Sequence, residues 1–289
     1  MRLGISGQAL GDVKSFREIV KTGKKYGVSD YEIWPGNVGA IHDYSTGDID
    51  GLKRTMEEEQ IRVYCVTLGS GFSPEATADP DIYANYLIRA IDAAKEIGAA
   101  VVNHYCGCIC PKGEPDFEVM EKYWRTPLEY AEKAGIVLAL ENEAHDATST
   151  PAKMLRIMEH FNHPNFKTNF DAVNYFHASC EGFPYAYALL KDHIGYVHIK
   201  NACLPNSDVP QPEYNRGAPM SGIYAPAPIQ YTPIPQGAVN VAGLLSRLEQ
   251  DGIYKGICTL EPHTTVEHVE EFYAEESAWL KKLGFFSQS

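Results

Sequence analysis

Four apolar runs in the second half of the chain close on ionisable residues: IVLALE on Glu141, KTNFD on Asp171, IGYVH on His198 and GICTLE on Glu261. An ionised carboxylate in apolar surroundings is costly unless a counter-charge or a cation accompanies it. If the four run ends converge, Glu141, Asp171, His198 and Glu261 together point to a bound divalent metal. Three carboxylates and one imidazole form a harder donor set than a thiolate site, which selects Mn2+ or Mg2+ over structural zinc. Mn2+ is the expected ion, with Mg2+, Co2+ and Zn2+ as the other candidates.

Residues spaced 30, 27 and 63 positions apart meet only if repeated elements return the chain to one place. Eight short apolar runs bounded by Gly or Pro read as strands: 3–6, 31–34, 62–68, 100–105, 137–143, 167–171, 195–200 and 256–261. Between them lie segments with one apolar stripe at helical spacing, such as Phe16, Ile19, Val20 and Gly23, or Val266, Val269, Phe272, Tyr273, Trp279 and Leu280. Strands apolar on both faces and separated by helices belong to a parallel sheet, because a parallel neighbour needs a crossover. Eight such units fit an α/β fold, a closed (β/α)8 TIM barrel, as one domain over residues 1–289. No strand leads into the Gly-rich phosphate loop of dinucleotide folds. Residues 203–235 break the rhythm. They are rich in Pro and aromatic residues, lack a helical period and read as a long insertion after the seventh strand. In a barrel that position lies on the face where active sites are built, so the insertion is a candidate lid or subunit contact, the alternative being a plain surface loop.

With these four strand ends in this order, the chain resembles the xylose-isomerase-like TIM-barrel superfamily of sugar isomerases and epimerases, over nearly its whole length. The resemblance implies one metal on the Glu, Asp, His, Glu set, with Glu141 and Glu261 also serving as acid and base. It sets HIKN, residues 198–201, where the family often has HxKD. Ketohexose 3-epimerases carry a His three residues after the sixth-strand Asp, an Arg six after the seventh-strand His and a Glu six after the fifth-strand Glu. Here those positions are Asn174, Leu204 and Ala147, which points away from a ketohexose substrate. Asn174 and the acidity of the chain also point away from the family's DNA-repair endonucleases. The expected function is a metal-dependent isomerase or epimerase that abstracts a proton next to the carbonyl of a ketose or keto-sugar, through an enediolate. If the second glutamate instead protonates a leaving group at the β carbon, the reaction is that of a lyase or dehydratase on a keto-sugar or 3-keto-glycoside. That alternative includes the metal-bearing subunit of C-glycoside-cleaving enzymes, with Tyr214, Tyr224 and Tyr231 over a flat aglycone. The remaining alternative is a non-catalytic sugar-binding or scaffold barrel.

Other side chains are expected to contact substrate. Glu143, Lys200 and His263 each stand two residues beyond a ligand, on the same strand face, and Lys200 is expected either to bind a substrate oxygen or to neutralise the carboxylate cluster. His104 ends the fourth strand facing the mouth, Trp34 stacks on a sugar face and Glu32 lines the pocket beside it. His145 is an alternative acid or base in the loop after the fifth strand. The bland readings are solvated strand ends for Glu143 and His145, a satisfied core histidine for His104 and ordinary barrel packing for Trp34. Cys106, Cys108 and Cys110 alternate as thiolate ligands would, but without a recognisable fourth ligand. Gly7, Gly69 and Gly107 read as turn residues, and Arg216 as a holder of an anionic substrate or a surface residue.

Acidic residues outnumber basic ones by 38 to 25, for a formal net charge of −13. Such a surface repels phosphate polyanions and anionic lipid, so neither nucleic acid nor a membrane is an expected partner. The expected partners are a small-molecule sugar and further copies of the chain, with a hetero-complex as the alternative. Seven cysteines, an odd number, read as reduced thiols, and the N-terminus lacks the apolar block of a secretory signal. Both features lead to the expectation of a cytoplasmic protein.

Overall fold

The computed structural model describes residues 1–10, 14–69, 74–205 and 228–286. Eight parallel strands close into a barrel: β1 (Arg2–Ser6), β2 (Asp30–Ile33), β3 (Arg62–Thr67), β4 (Val101–His104), β5 (Val137–Glu141), β6 (Phe166–Asp171), β7 (Ile194–Ile199) and β8 (Ile257–Leu260). Around the barrel they run in chain order, and β1 closes it by pairing with both β2 and β8. Each strand lies within a few residues of the run that foretold it. The helices are α1 (Phe16–Lys25), α2 (Ile49–Glu59), α3 (Pro74–Ala78), α4 (Pro80–Ile97), α5 (Phe117–Ala134), α6 (Pro151–Phe161), α7 (Ala172–His177), α8 (Tyr187–Leu190), α9 (Val241–Asp251) and α10 (Val269–Lys282). Val266, counted in the last helical stripe, instead precedes α10 and is exposed.

Local chemistry starts and stops the helices where the barrel needs them. Asp48, Asp79, Asp116, Thr150 and Asn240 cap the first turns of α2, α4, α5, α6 and α9 by accepting backbone N–H groups. Gly98 and Gly135, at positive φ, end α4 and α5 and turn the chain into the next strand. Strand alternation then sorts the side chains. One set, including Val66, Val102, Leu138, Leu140, Phe170, Val197 and Leu260, packs outward in the large core with the helices. The other set faces the bore, where Cys65, Val101, Ala139, Tyr196 and Ile257 form a small separate cluster. Gly4 belongs to this inner set. A Cβ there would come within 2.8 Å of Ile257 Cδ1 and Thr259 Oγ1, so any other residue would force those side chains to shift. Away from the strand C-termini, buried Asp30 is held by Arg2 (2.9 Å) and Arg62 (3.0 Å).

The segment after β7 is more ordered at its ends than its composition suggests. Asn201–Cys203 pairs antiparallel with Gln230–Thr232, and a 3-10 turn at Ile234–Gln236 follows. Three-residue strands are too short to register as a period, which explains why the whole of 203–235 reads as loop. The Asn201 amide donates to the backbone carbonyls of Ile234 (2.8 Å) and Val239 (2.9 Å), fastening the base of the hairpin to the chain that leads into α9. Tyr214, Arg216 and Tyr224, and with them the lid or subunit-contact reading, lie outside the described residues. Among the described residues no helix is long and apolar enough to cross a membrane.

Candidate metal centre

Glu141, the last residue of β5, Asp171, the last of β6, His198 on β7 and Glu261, just past β8, meet at the C-terminal mouth of the barrel. All four are buried, and one donor atom from each lies within 4.8 Å of the others. Among the described residues this is the one cluster of three or more His, Cys, Asp or Glu side chains that converges in this way. The Cys106, Cys108 and Cys110 run forms no such cluster, and all seven cysteines are free thiols.

Each ligand candidate is aimed by neighbours. Glu141 Oε2 accepts from the amides of Asn103 (2.9 Å) and Asn169 (3.1 Å), leaving Oε1 toward His198 Nδ1 at 3.1 Å. Asp171 is the N-cap of α7. Its Oδ1 accepts the N–H groups of Val173 (2.8 Å) and Asn174 (3.0 Å), while buried Oδ2 has no hydrogen bond. The Asn142 side chain pairs with the Asp171 backbone N–H and C=O, both at 2.9 Å, and so ties the ends of β5 and β6 together. Around His198, Nδ1 is 3.2 Å from Glu261 Oε2, and Nε2 is 2.7 Å from Glu32 Oε2 on the other side of the ring.

Lys200 enters the same cluster. Its Nζ lies 2.7 Å from Asp171 Oδ2, as an ion pair out of hydrogen-bond alignment, and donates to Glu261 Oε2 at 2.7 Å. Burial disfavours this ammonium, but Asp171 and Glu261 outweigh it and hold the Lys200 pKa well above its usual value. Burial likewise works against charge on Glu261, yet His198 and Lys200 pull its pKa well below the usual range. Glu141 goes the other way, because burial raises its pKa despite His198. The donor set fits a hard divalent cation: one carboxylate oxygen from each of Glu141, Asp171 and Glu261 and one His198 nitrogen converge within 4.8 Å of one another.

The other expected contacts divide. His263 lies at the rim, 3.2 Å from Lys200 Nζ, with its ring 4.6 Å from that of Tyr231. Glu143 is half-buried beside His145, whose Nδ1 is 3.6 Å from its carboxylate. Burial, followed by the Glu141 charge, pushes the Glu143 pKa well up. Thr148 and Asp146 shape this loop: the Thr148 hydroxyl accepts from Glu143 N–H, and Asp146 accepts from Thr148 and from Gly107 N–H. Trp34 stands 6.0 Å from the Tyr105 ring and borders a cleft of about 300 Å³ with Pro35, Ile41 and Gly69.

His104 does not face the mouth. Fully buried, it points outward between Trp124 of α5 (5.5 Å) and Phe166 (5.8 Å), near the Tyr83 hydroxyl (3.3 Å). The physical reason is alternation: on β4 the inward residue is its neighbour Asn103, which reaches Glu141. Glu32 lies under the centre, against His198, rather than beside Trp34 in the cleft. The amides of Asn103, Asn142 and Asn169 escape the sequence reading, although Asn169, Tyr196 and Thr259 stand two residues before Asp171, His198 and Glu261. That spacing was a readable sign that each shares its neighbour's face.

A family model described as xylose isomerase-like TIM barrel matches residues 20–283. No curated protein matches the chain by sequence. Among solved structures it is similar to the probable 3-DHS dehydratase AsbF from Bacillus anthracis, with TM-score 0.71 and 16% identity over 97% of this chain and 99% of that one. It is similar to a xylose isomerase-like TIM-barrel protein from Mycobacterium smegmatis in complex with magnesium, with TM-score 0.69 and 16% identity over 98% and 97%. It is also similar to the 3-keto-D-glucoside 4-epimerase YcjR from E. coli, with TM-score 0.66 and 17% identity over 98% and 99%. At such identities the likeness is one of fold.

Proposed function

The chain belongs to the xylose isomerase-like TIM-barrel family, and from that premise we propose a divalent-metal-dependent enzyme that moves a proton next to the carbonyl of a sugar or keto-sugar, as an isomerase or epimerase. The observation that carries the reading is the convergence of Glu141, Asp171, His198 and Glu261 on one buried point. These four residues would hold the ion, for which the hard donor set favours Mn2+. When bound, a divalent ion supplies Lewis-acid polarisation of a carbonyl.

The protein's own groups supply the rest. Glu141 from β5 and Glu261 from the end of β8 flank the centre with β6 and β7 between them. Two carboxylates on separate flanks let one remove a proton and the other return it to the opposite face, which is epimerisation; isomerisation uses one of them. The Asn103 and Asn169 amides fix the rotation of Glu141. Lys200 offsets the charge of Asp171 and Glu261. Trp34, Glu143 and His263, which follow the C-terminal ends of β2, β5 and β8, are the groups proposed to hold substrate hydroxyls and ring faces. Free thiols throughout accord with a cytoplasmic setting.

The Glu143–His145 pair favours a second reading, since it offers a further proton donor for a leaving group and so for elimination from a keto-sugar. Solvent-deuterium incorporation into a panel of ketoses and 3-keto-glycosides tests both: label at carbon with retained skeleton supports the isomerase, and loss of a β substituent supports the lyase. Glu141→Gln and Glu261→Gln should each lower turnover by about 10²–10⁴-fold. Undiminished turnover in both would remove the acid and base roles.

A further inference from the structure

Glu32 is fully buried, and it comes from β2, which the closed sheet separates from β7 by β1 and β8. Its carboxylate nevertheless reaches across the bore to the His198 ring, with Oε2 2.7 Å from Nε2. Its remaining contacts are neutral hydroxyl donors: Thr67 donates to Oε1 at 2.7 Å and Tyr196 to Oε2 at 2.8 Å. The Tyr196 oxygen is itself held 2.6 Å from Thr259 Oγ1. A plug that only filled space would be cheaper as an amide or a hydrocarbon, since a buried carboxylate without a counter-charge is costly. The cationic groups at the far end of the bore, Arg2 and Arg62, are engaged with Asp30, and the nitrogen that Glu32 meets is Nε2 of the His198 ring.

The consequence lies in which nitrogen carries the proton. A neutral imidazole has one N–H and one lone pair, and a metal takes the lone pair. The nitrogen among the ligand carboxylates is Nδ1, near Glu141 Oε1 and Glu261 Oε2. Glu32 Oε2 already accepts from Tyr196, and a second short contact at that oxygen calls for another donor, which sets the proton on Nε2 and presents the Nδ1 lone pair to the centre. We infer that Glu32 is the positioning residue of the metal centre, fixing the tautomer and orientation of His198 from the opposite wall of the barrel. The inference rests on the metal reading proposed above.

The test is metal titration of the full-length chain, stripped by chelator and loaded with Mn2+ in a calorimeter, for wild type, Glu32→Gln and Thr67→Val. Wild type should bind one equivalent. Glu32→Gln should bind about 10- to 100-fold more weakly. Thr67→Val breaks the same buried network away from the ring, so it should lower the thermal midpoint of the metal-free protein while costing clearly less affinity than Glu32→Gln. Equal affinity in Glu32→Gln and wild type overturns the inference and leaves the metal reading standing. No binding by wild type overturns both. A second measurement needs no variant at position 32: 15N NMR of histidine-labelled wild type loaded with Zn2+ should show His198 protonated at Nε2, and a proton on Nδ1 would refute the assignment.

Discussion

His198 and His104 are both buried histidines near the C-terminal ends of barrel strands, yet they sit in opposite kinds of surroundings. His198 faces the bore, with Glu32, Glu141 and Glu261 at 2.7, 3.1 and 3.2 Å. His104 faces the helices, between Trp124 and Phe166. Burial opposes the imidazolium at both. At His198 the three carboxylates outweigh burial and carry the pKa well above its usual value. At His104 burial acts unopposed, and the pKa falls to about 3. The difference comes from strand parity: one position of register decides whether the same side chain becomes part of a polar centre or of an aromatic core.

The largest effect should follow from removing the inward ring. In His198→Asn, Mn2+ affinity should fall beyond the roughly 100-fold that loss of an outer-sphere partner costs. Calorimetric titration of chelator-stripped protein checks this. Unchanged affinity would show that His198 is no ligand and would erase the contrast between the two histidines.

An intermediate effect is expected at Asn103, the inward neighbour of His104. Its amide donates to Glu141 Oε2 and accepts from Asn169 at 3.1 Å. Asn103→Ala frees Glu141 to rotate and leaves buried polar atoms unpaired. Metal affinity should drop about 10-fold, and urea denaturation should show a loss of about 1–3 kcal/mol. A loss of stability with full affinity would reduce Asn103 to a packing residue.

How much of this was legible follows from the same parity. Parallel strands covered by helices are apolar on both faces, so all eight stand out as runs, and the barrel can be read from them. The carboxylates Glu141, Asp171 and Glu261 are conspicuous because charge at the end of an apolar run demands a partner. Asn103, Asn142 and Asn169 carry no charge and raise no such demand, although they aim two of the ligands. Whether Asn103 or His104 faces inward depends on register, here Asn103 opposite Ala139 and His104 opposite Leu140, and the run VVNH alone does not set it. Glu32 was legible as a pocket residue. Its contact with His198 spans the bore and becomes visible only once the barrel is closed.

The smallest effect should come from His104→Phe, and its sign with pH is fixed. An unfolded histidine takes up a proton near pH 6.5, whereas folded His104 does so only at about 3. Between these values the unfolded chain holds the extra proton, so the stability that neutral His104 contributes is complete above about pH 6.5 and is lost as the pH falls below it. Phenylalanine removes that proton uptake. At pH 7.5 the variant forfeits only the long contact with the Tyr83 hydroxyl, about 1 kcal/mol or less. As the pH is lowered toward 4.5, His104→Phe should gain on wild type in urea midpoint, because every other acid-sensitive group is common to both. Mn2+ affinity should stay at the wild-type value. A stability difference that does not change with pH would mean that His104 takes up its proton as readily in the folded protein as in the unfolded chain, and a change in metal affinity would mean that it faces the bore; either result would collapse the distinction between the two histidines.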